Sequence, residues 1–335
     1  MTSKLPLIRL SSIYPFLAEL RRRDAPVSTL LRDLGLPVDI PTSQDLFVAP
    51  ATIYEFVERS AEISEDPYLG YAVGRALQLE GWVPISRAAK QANTVGELLT
   101  LFIVNATDHS SASNFFLRID GKRTTFGLDR VVQPAFRPGQ NDAFYLGFMS
   151  RLLIRATQAN WSASDVMFRV ADVGCIPDTD EKLRVAKGDR SGIKISFPSQ
   201  WLMTSFEASL FRLDGKADEG GSIPRSLVES VHTALRPHLH KPGLTADKAA
   251  RICGYTRRRL AEELRAEGTT LIKEISYLRA KKACDQLGNT ERRVADIAQD
   301  VGFTDPTVFS RAFKNWTGQS PQAYRRSQKS LNRMK

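Results

Sequence analysis

The chain has 335 residues, enough for two domains with separate cores, and its 42% hydrophobic content is ordinary for a soluble globular protein. No apolar run approaches the roughly 18 residues of a membrane-spanning helix, and the three scattered cysteines, Cys175, Cys253 and Cys284, form neither a disulfide framework nor a Cys-x-x-Cys site. The net charge of +10 is placed unevenly: residues 221–335 carry 22 Lys and Arg against 11 Asp and Glu, whereas residues 1–220 carry 25 against 26. A basic part therefore joins a neutral one, as expected of a polyanion-binding module attached to a part with another task.

The N-terminal stretch, Met1 to Leu20, interrupts its apolar residues with Lys4, Arg9 and Glu19, which argues against a secretion signal and for a cytoplasmic setting. Residues 5–92 read as mostly helical. One stripe comprises Ile13, Phe16, Leu17 and Leu20, and a second comprises Val27, Leu30, Leu31 and Leu34 before Gly35-Leu36-Pro37. Ile53, Phe56, Val57 and Ala61 mark a helix over 51–63, Asp66-Pro67 stops it, and 69–77 is a further short helix. Thr94 is placed to cap a helix over 95–106, with Glu97 completing a capping box. Strands are expected at 114–119 and 124–129 around the turn Asp120-Gly121-Lys122, then at 166–171 and 192–197, with a long helix over 142–159 between the two pairs. This order predicts an α+β domain over residues 1–213, followed by a polar, glycine-rich linker over 214–225.

Residues 226–335 contain one pattern twice. Ala250, Gly254, Tyr255 and Thr256 line up with Ala298, Gly302, Phe303 and Thr304, and after one extra residue Leu260 and Leu264 answer Phe309 and Phe313. Each copy reads as a short helix, a glycine in the left-handed region and a capped second helix. Thr256 is the cap in the first copy; Thr304 and Asp305, just before Pro306, compete for it in the second. That arrangement is a helix-turn-helix, whose second helix enters the DNA major groove. The copies span 244–268 and 293–318, within an all-α domain. Between them, a helix over 270–288 carries Leu271, Ile272, Ile275, Leu278, Ala283 and Leu287 on one face, with Arg279, Lys281 and Lys282 off it. A stiff connector of this kind would present two readers to successive groove segments about 34 Å apart.

The first reading helix offers Arg257, Arg258, Arg259 and Glu262 behind the Thr256 cap, and the arginine forks suit guanine or phosphate. The second offers Thr307, Ser310, Arg311, Lys314 and Asn315, with Val308, Phe309 and Phe313 assigned to packing. Arg325 and Arg326, with Lys329, Arg333 and Lys335, form a basic tail suited to phosphate or to solvent.

The run Asp296-Ile297-Ala298-x-x-x-Gly302-Phe303-x-Asp305-x-x-x-Phe309-Ser310-Arg311-x-Phe313-Lys314-x-x-x-Gly318-x-Ser320-Pro321-x-x-Tyr324-Arg325 resembles the signature of the AraC/XylS family of bacterial transcription regulators. Leu260-x-x-x-Leu264-x-x-Glu267-Gly268 and Arg279-x-x-x-Ala283 resemble that family's first motif and connecting helix. Pieces of the N-terminal part resemble the ligand-binding and dimerisation domain of regulators responding to ornithine- or arabinose-type metabolites: Gly35-Leu36, Asp66-Pro67-Tyr68-Leu69-Gly70, Thr94-Val95-Gly96-Glu97, and Ile195-Ser196-Phe197-Pro198-x-x-Trp201-Leu202. The resemblance implies a regulator that binds double-stranded promoter DNA, takes a small-molecule effector, and works with RNA polymerase, with homodimerisation open.

Other features carry less. His232, His238 and His240 lack the partners of a metal site. Asp108-His109-Ser110 are consecutive and cannot converge on one reacting atom, so no catalytic residue and no cofactor is expected. Arg137, between Pro134 and Pro138, is the one effector-binding residue singled out, a guanidinium suited to an anionic effector or to a salt bridge.

Overall fold

In a computed structural model of the chain, residues 5–38, 46–77, 83–157, 161–178, 182–206 and 226–333 are described. The chain divides into two compact units, one of Pro6–Leu34 with Val38–Ile223 and the other built on Pro224–Lys335. The expected linker, 214–225, lies outside the described residues.

The first unit is α+β. A two-residue strand β1 (Ile8–Arg9) leads into a 3-10 turn and α1 (Tyr14–Arg22), which buries Phe16, Leu17 and Leu20 as the stripe predicted. Helix α2 (Val27–Leu34) buries its four apolar residues and ends at Gly35, where φ is +72°. Strand β2 (Phe47–Val48) pairs antiparallel with β1. Helices α3 (Pro50–Ile63), α4 (Leu69–Ala76), α5 (Val83–Ala89) and α6 (Val95–Ala106) follow. At the start of α6 the Thr94 hydroxyl accepts from the Glu97 N–H at 3.2 Å. The Glu97 carboxylate reaches back to the Asn93 N–H at 2.7 Å, one residue before the expected partner.

Strands β3 (Ser113–Asp120) and β4 (Arg123–Arg130) make the anticipated hairpin, with Gly121 at φ +55° in its turn. Helix α7 (Gly139–Thr157) separates them from β5 (Met167–Val170), β6 (Arg184–Lys187) and β7 (Gly192–Pro198). The sheet runs β3-β4-β7-β5-β6, antiparallel except for the β5–β6 pair. Helices α4 and α7 cross backbone to backbone, because a Cβ on Gly74 would stand 2.1 Å from the Phe144 carbonyl oxygen. Only glycine permits that approach. Arg130, at the end of β4, and Asp142, in the first turn of α7, form an ion pair with both side chains fully buried. Asp142 also accepts from the Ala171 N–H at 2.7 Å, so the pair ties three segments of the unit together.

The second unit is helical throughout: α8 (Leu227–Leu235), α9 (Ala246–Ile252), α10 (Arg257–Ala266), α11 (Leu271–Asn289), α12 (Val294–Asp300), α13 (Pro306–Thr317) and α14 (Pro321–Arg333). Helix α11 is the central member and packs against all six others. Leu271, Ile275, Leu278, Ala283 and Leu287 are buried along it. Ile272 departs from the expected face and is 65% exposed, because it lies about 100° around the helix from Leu271. Arg279 departs in the opposite sense: it is half-buried, with its guanidinium 5.3 Å from the centre of the Phe303 ring. No helix among the described residues is long and apolar enough to cross a membrane.

Candidate nucleic-acid interface

The two copies of the motif fold alike down to individual hydrogen bonds. At the first turn the Tyr255 N–H donates to the Ala250 carbonyl and the Gly254 N–H to the Arg251 carbonyl. At the second, Phe303 donates to Ala298 and Gly302 to Gln299. This doubled closure is a Schellman turn, and it needs a left-handed residue at the glycine. Gly254 and Gly302 supply it with φ of +73° and +81°.

The second helix of each copy is then capped. The Thr256 hydroxyl accepts from the Arg259 N–H at 3.3 Å. In the second copy Asp305 takes the role from Thr304, its carboxylate accepting from the Thr307 N–H at 2.6 Å ahead of Pro306. That bond holds the Asp305 carboxyl below its usual range. Leu260 and Leu264 anchor α10, and Phe309 and Phe313 anchor α13, all with no exposed surface. The Phe309 ring lies 5.7 Å from those of both Phe303 and Phe313.

With the anchors superposed, Arg258 corresponds to Thr307, Arg259 to Val308, Glu262 to Arg311 and Arg265 to Lys314. All eight are exposed. On α10 the arginines are paired with carboxylates: Arg257 with Asp247 at 3.1 Å, Arg258 with Glu262 at 2.9 Å, and Arg259 with Glu263 at 3.1 Å. Arg259 also stands 4.8 Å from the centre of the Tyr255 ring. Exposed pairs of this kind are screened by solvent and contribute little, so a base edge or phosphate can take the guanidinium at little cost. On α13, Arg311 and Lys314 form no ion pair among the described residues. Asn315 is exposed beside them, and Ser310 is half-buried with its hydroxyl turned back to the Pro306 carbonyl at 2.8 Å.

Two assignments change. Val308, expected to pack, is 44% exposed, because Phe309 and Phe313 already fill the buried side of α13. Arg325, expected at DNA, turns inward and donates to the Arg292 carbonyl at 2.5 Å, fastening α14 to the segment ahead of α12. Arg265 was passed over, although its match to Lys314 follows from the same spacing that relates Leu264 to Phe313. The histidines also separate. The His232 ring meets the Glu274 carboxylate at 2.5 Å, while His238 is buried. Burial pushes the His238 imidazole down to about 4, helped by Lys241 and His240. Among the described residues no cluster could hold a metal ion.

The first unit holds a partly open cavity of about 60 Å³. Phe16, Tyr54, Phe115, Phe144 and Tyr145 form much of its wall, with Ser12, Ser113 and Asn141 contributing polar groups. The Ser12 hydroxyl is buried and has no hydrogen-bond partner among the described residues. Arg137 does not reach this cavity; it is exposed on the loop after β4.

Comparison with known proteins agrees with this architecture. Residues 249–327 match a helix-turn-helix domain model, and residues 25–174 match the model of the N-terminal arabinose-binding domain of AraC transcription regulators. The MmsAB operon regulatory protein of Pseudomonas aeruginosa is 32% identical over 99 residues, covering 29% of this chain and 32% of that protein. The ornithine utilization regulator of the same organism is 35% identical over 105 residues, covering 31% and 30%. Transcriptional activator NphR of a Rhodococcus species is 32% identical over 96 residues, or 29% of each chain. The chain thus spans about a third of the length of the curated relatives it matches. The crystal structure of the regulator CdpR from Pseudomonas aeruginosa aligns over 92% of this chain and 98% of that one, at 18% identity and a TM-score of 0.34. With the helix-turn-helix model on its basic half and the arabinose-binding model on its α+β half, the chain belongs to the AraC/XylS family of DNA-binding transcriptional regulators.

Proposed function

We propose that this regulator reads a specific promoter sequence through α10 and α13, and that a small-molecule effector in the first unit controls that reading. The observation that carries the first half is the pair of capped helices, each anchored by two buried side chains and each presenting a different polar set outward. Two unlike sets define a sequence, whereas a nonspecific binder needs only charge. Arg257, Arg258, Arg259, Glu262 and Arg265 act in one groove segment, and Thr307, Arg311, Lys314 and Asn315 in the next. Thr256 and Ser310 serve mainly to hold the helices.

The cavity walled by Tyr54, Phe115 and Tyr145 supports the second half. Its present volume holds only a few water molecules, so an effector enters as side chains around it shift. Among the described residues its lining includes His109 but no lysine or arginine. A neutral molecule with an apolar body and one polar group, met by Ser12, fits it better than the anionic effector expected from Arg137. Ligand then acts by favouring one arrangement of the chain over another, with a coupling no larger than its preference between the two. Homodimerisation and contact with RNA polymerase belong to the same reading.

The test uses the full chain. A duplex is selected from a random-sequence library, and its affinity is compared with that of a scrambled duplex at physiological salt. Equal affinities remove sequence-specific reading. Metabolites that raise the melting temperature are then added at saturation, and unchanged DNA affinity removes effector control.

A further inference from the structure

Val308 is an apolar side chain that the protein covers only in part. It lies in the first turn of α13, 44% exposed, with Thr307, Arg311 and Asn315 exposed around it. Among the described residues it does not belong to the hydrophobic cluster beneath α13. The core side of the helix is filled by Phe309 and Phe313, and β-branched residues are mediocre helix formers at solvated positions. The matching position of α10 carries Arg259, so at this point one reading helix presents a cation and the other an apolar side chain.

Phosphate and the polar base edges offer valine nothing. The apolar feature that the major groove presents to a side chain is the C5-methyl group of thymine. We propose that Val308 is a specificity-determining residue that packs on a thymine methyl group, so that the segment read by α13 requires thymine at a step where the segment read by α10 meets a cation. This rests on the DNA reading proposed above and deepens it. Arg311 and Lys314, with no ion pair among the described residues and on the same exposed side, hold α13 against the backbone while Val308 makes the apolar contact. Burying one methyl group against another corresponds to about 4-fold in affinity, from roughly 0.8 kcal/mol per buried carbon.

The experiment is deoxyuridine scanning. A duplex is selected from a random library with the full chain, and each thymine is replaced in turn by deoxyuridine, which removes only the methyl group. Binding is measured for the natural chain and for Val308→Ala, which folds because alanine is the better helix former at an exposed position. The expected result is one thymine whose replacement weakens the natural chain about 4-fold and leaves Val308→Ala unaffected. A second selection with Val308→Ala should lose the thymine preference at that step alone. The proposal is overturned if no replacement weakens binding, or if Val308→Ala is as sensitive as the natural chain. A selection that enriches no duplex at all overturns the sequence-specific reading itself, which separates the two failures.

Discussion

The two turn glycines occupy the same place in the repeated motif, yet replacing them should have different consequences. Both have φ near +75°, and an L-residue in that region costs about 1–2 kcal/mol. At Gly254 an added Cβ meets nothing within 4 Å, so Gly254→Ala should lose only that amount. At Gly302 the added Cβ would stand 2.6 Å from the Leu239 carbonyl oxygen, 2.9 Å from the Arg279 guanidinium and 3.0 Å from the Lys241 carbonyl oxygen. Two of those neighbours are backbone and cannot swing aside. Overpacking of this kind adds about 1–3 kcal/mol, so Gly302→Ala should lose roughly 2–5 kcal/mol in all. Asparagine sharpens the comparison, because it tolerates the left-handed region but still carries a Cβ. It should recover much of the loss at Gly254 and little at Gly302. Hydrogen exchange measured on peptides of α9–α10 and α12–α13 reports each turn separately. Equal losses at the two sites, or full rescue by Gly302→Asn, would refute the steric argument.

Thr256→Ala removes the cap bond to the Arg259 N–H and should cost about 1 kcal/mol, read by urea unfolding; no change would mean the cap is made by water instead. Lys314→Ala should lower the slope of log affinity against log salt by about 1, whereas Arg325→Ala should leave that slope unchanged while lowering stability, since Arg325 holds the Arg292 carbonyl. His238 has its imidazole depressed to about 4. The unfolded chain therefore binds the proton more tightly, and the contribution present above pH 6.5 is lost as pH falls toward 4. A depression of that size corresponds to about 3 kcal/mol. Stability against pH should consequently be flatter for His238→Gln over that window. Glu58, half-buried where it accepts from the Gln140 N–H at 2.8 Å, has the opposite sign. Its carboxyl is pushed up to about 7, chiefly by burial, so its contribution is full below pH 4.5 and fades as pH rises through 7. Glu58→Gln should remove that decline in thermal unfolding curves.

The features legible in the sequence were those written in short range. Glycine at a left-handed turn, threonine three residues before its bonded N–H, and apolar residues three and four apart are local rules, and they located both motifs, the hairpin and helices α1 to α4. What escaped depends on partners distant in the chain. The four residues of β6 are a strand only because β5 lies beside them, and β1 and β2 are two residues each. Arg279 is half-buried against Phe303 of the second motif, and Arg325 reaches the Arg292 carbonyl, 33 residues away in the chain. Val308 reads as a packing residue from its composition; only the position of Phe309 and Phe313 shows that it lies outside the core cluster.

A reader with unlike ends has a heading. Because α10 and α13 carry different outward side chains on one continuous frame, a single chain laid on a duplex distinguishes one direction along it from the other. A two-fold symmetric reader cannot do so and needs a palindrome. Under the proposed reading, the asymmetry of the paired helices would give each bound molecule a defined upstream and downstream side, so inverting the site relative to a start point would present a different face of the protein to whatever stands there.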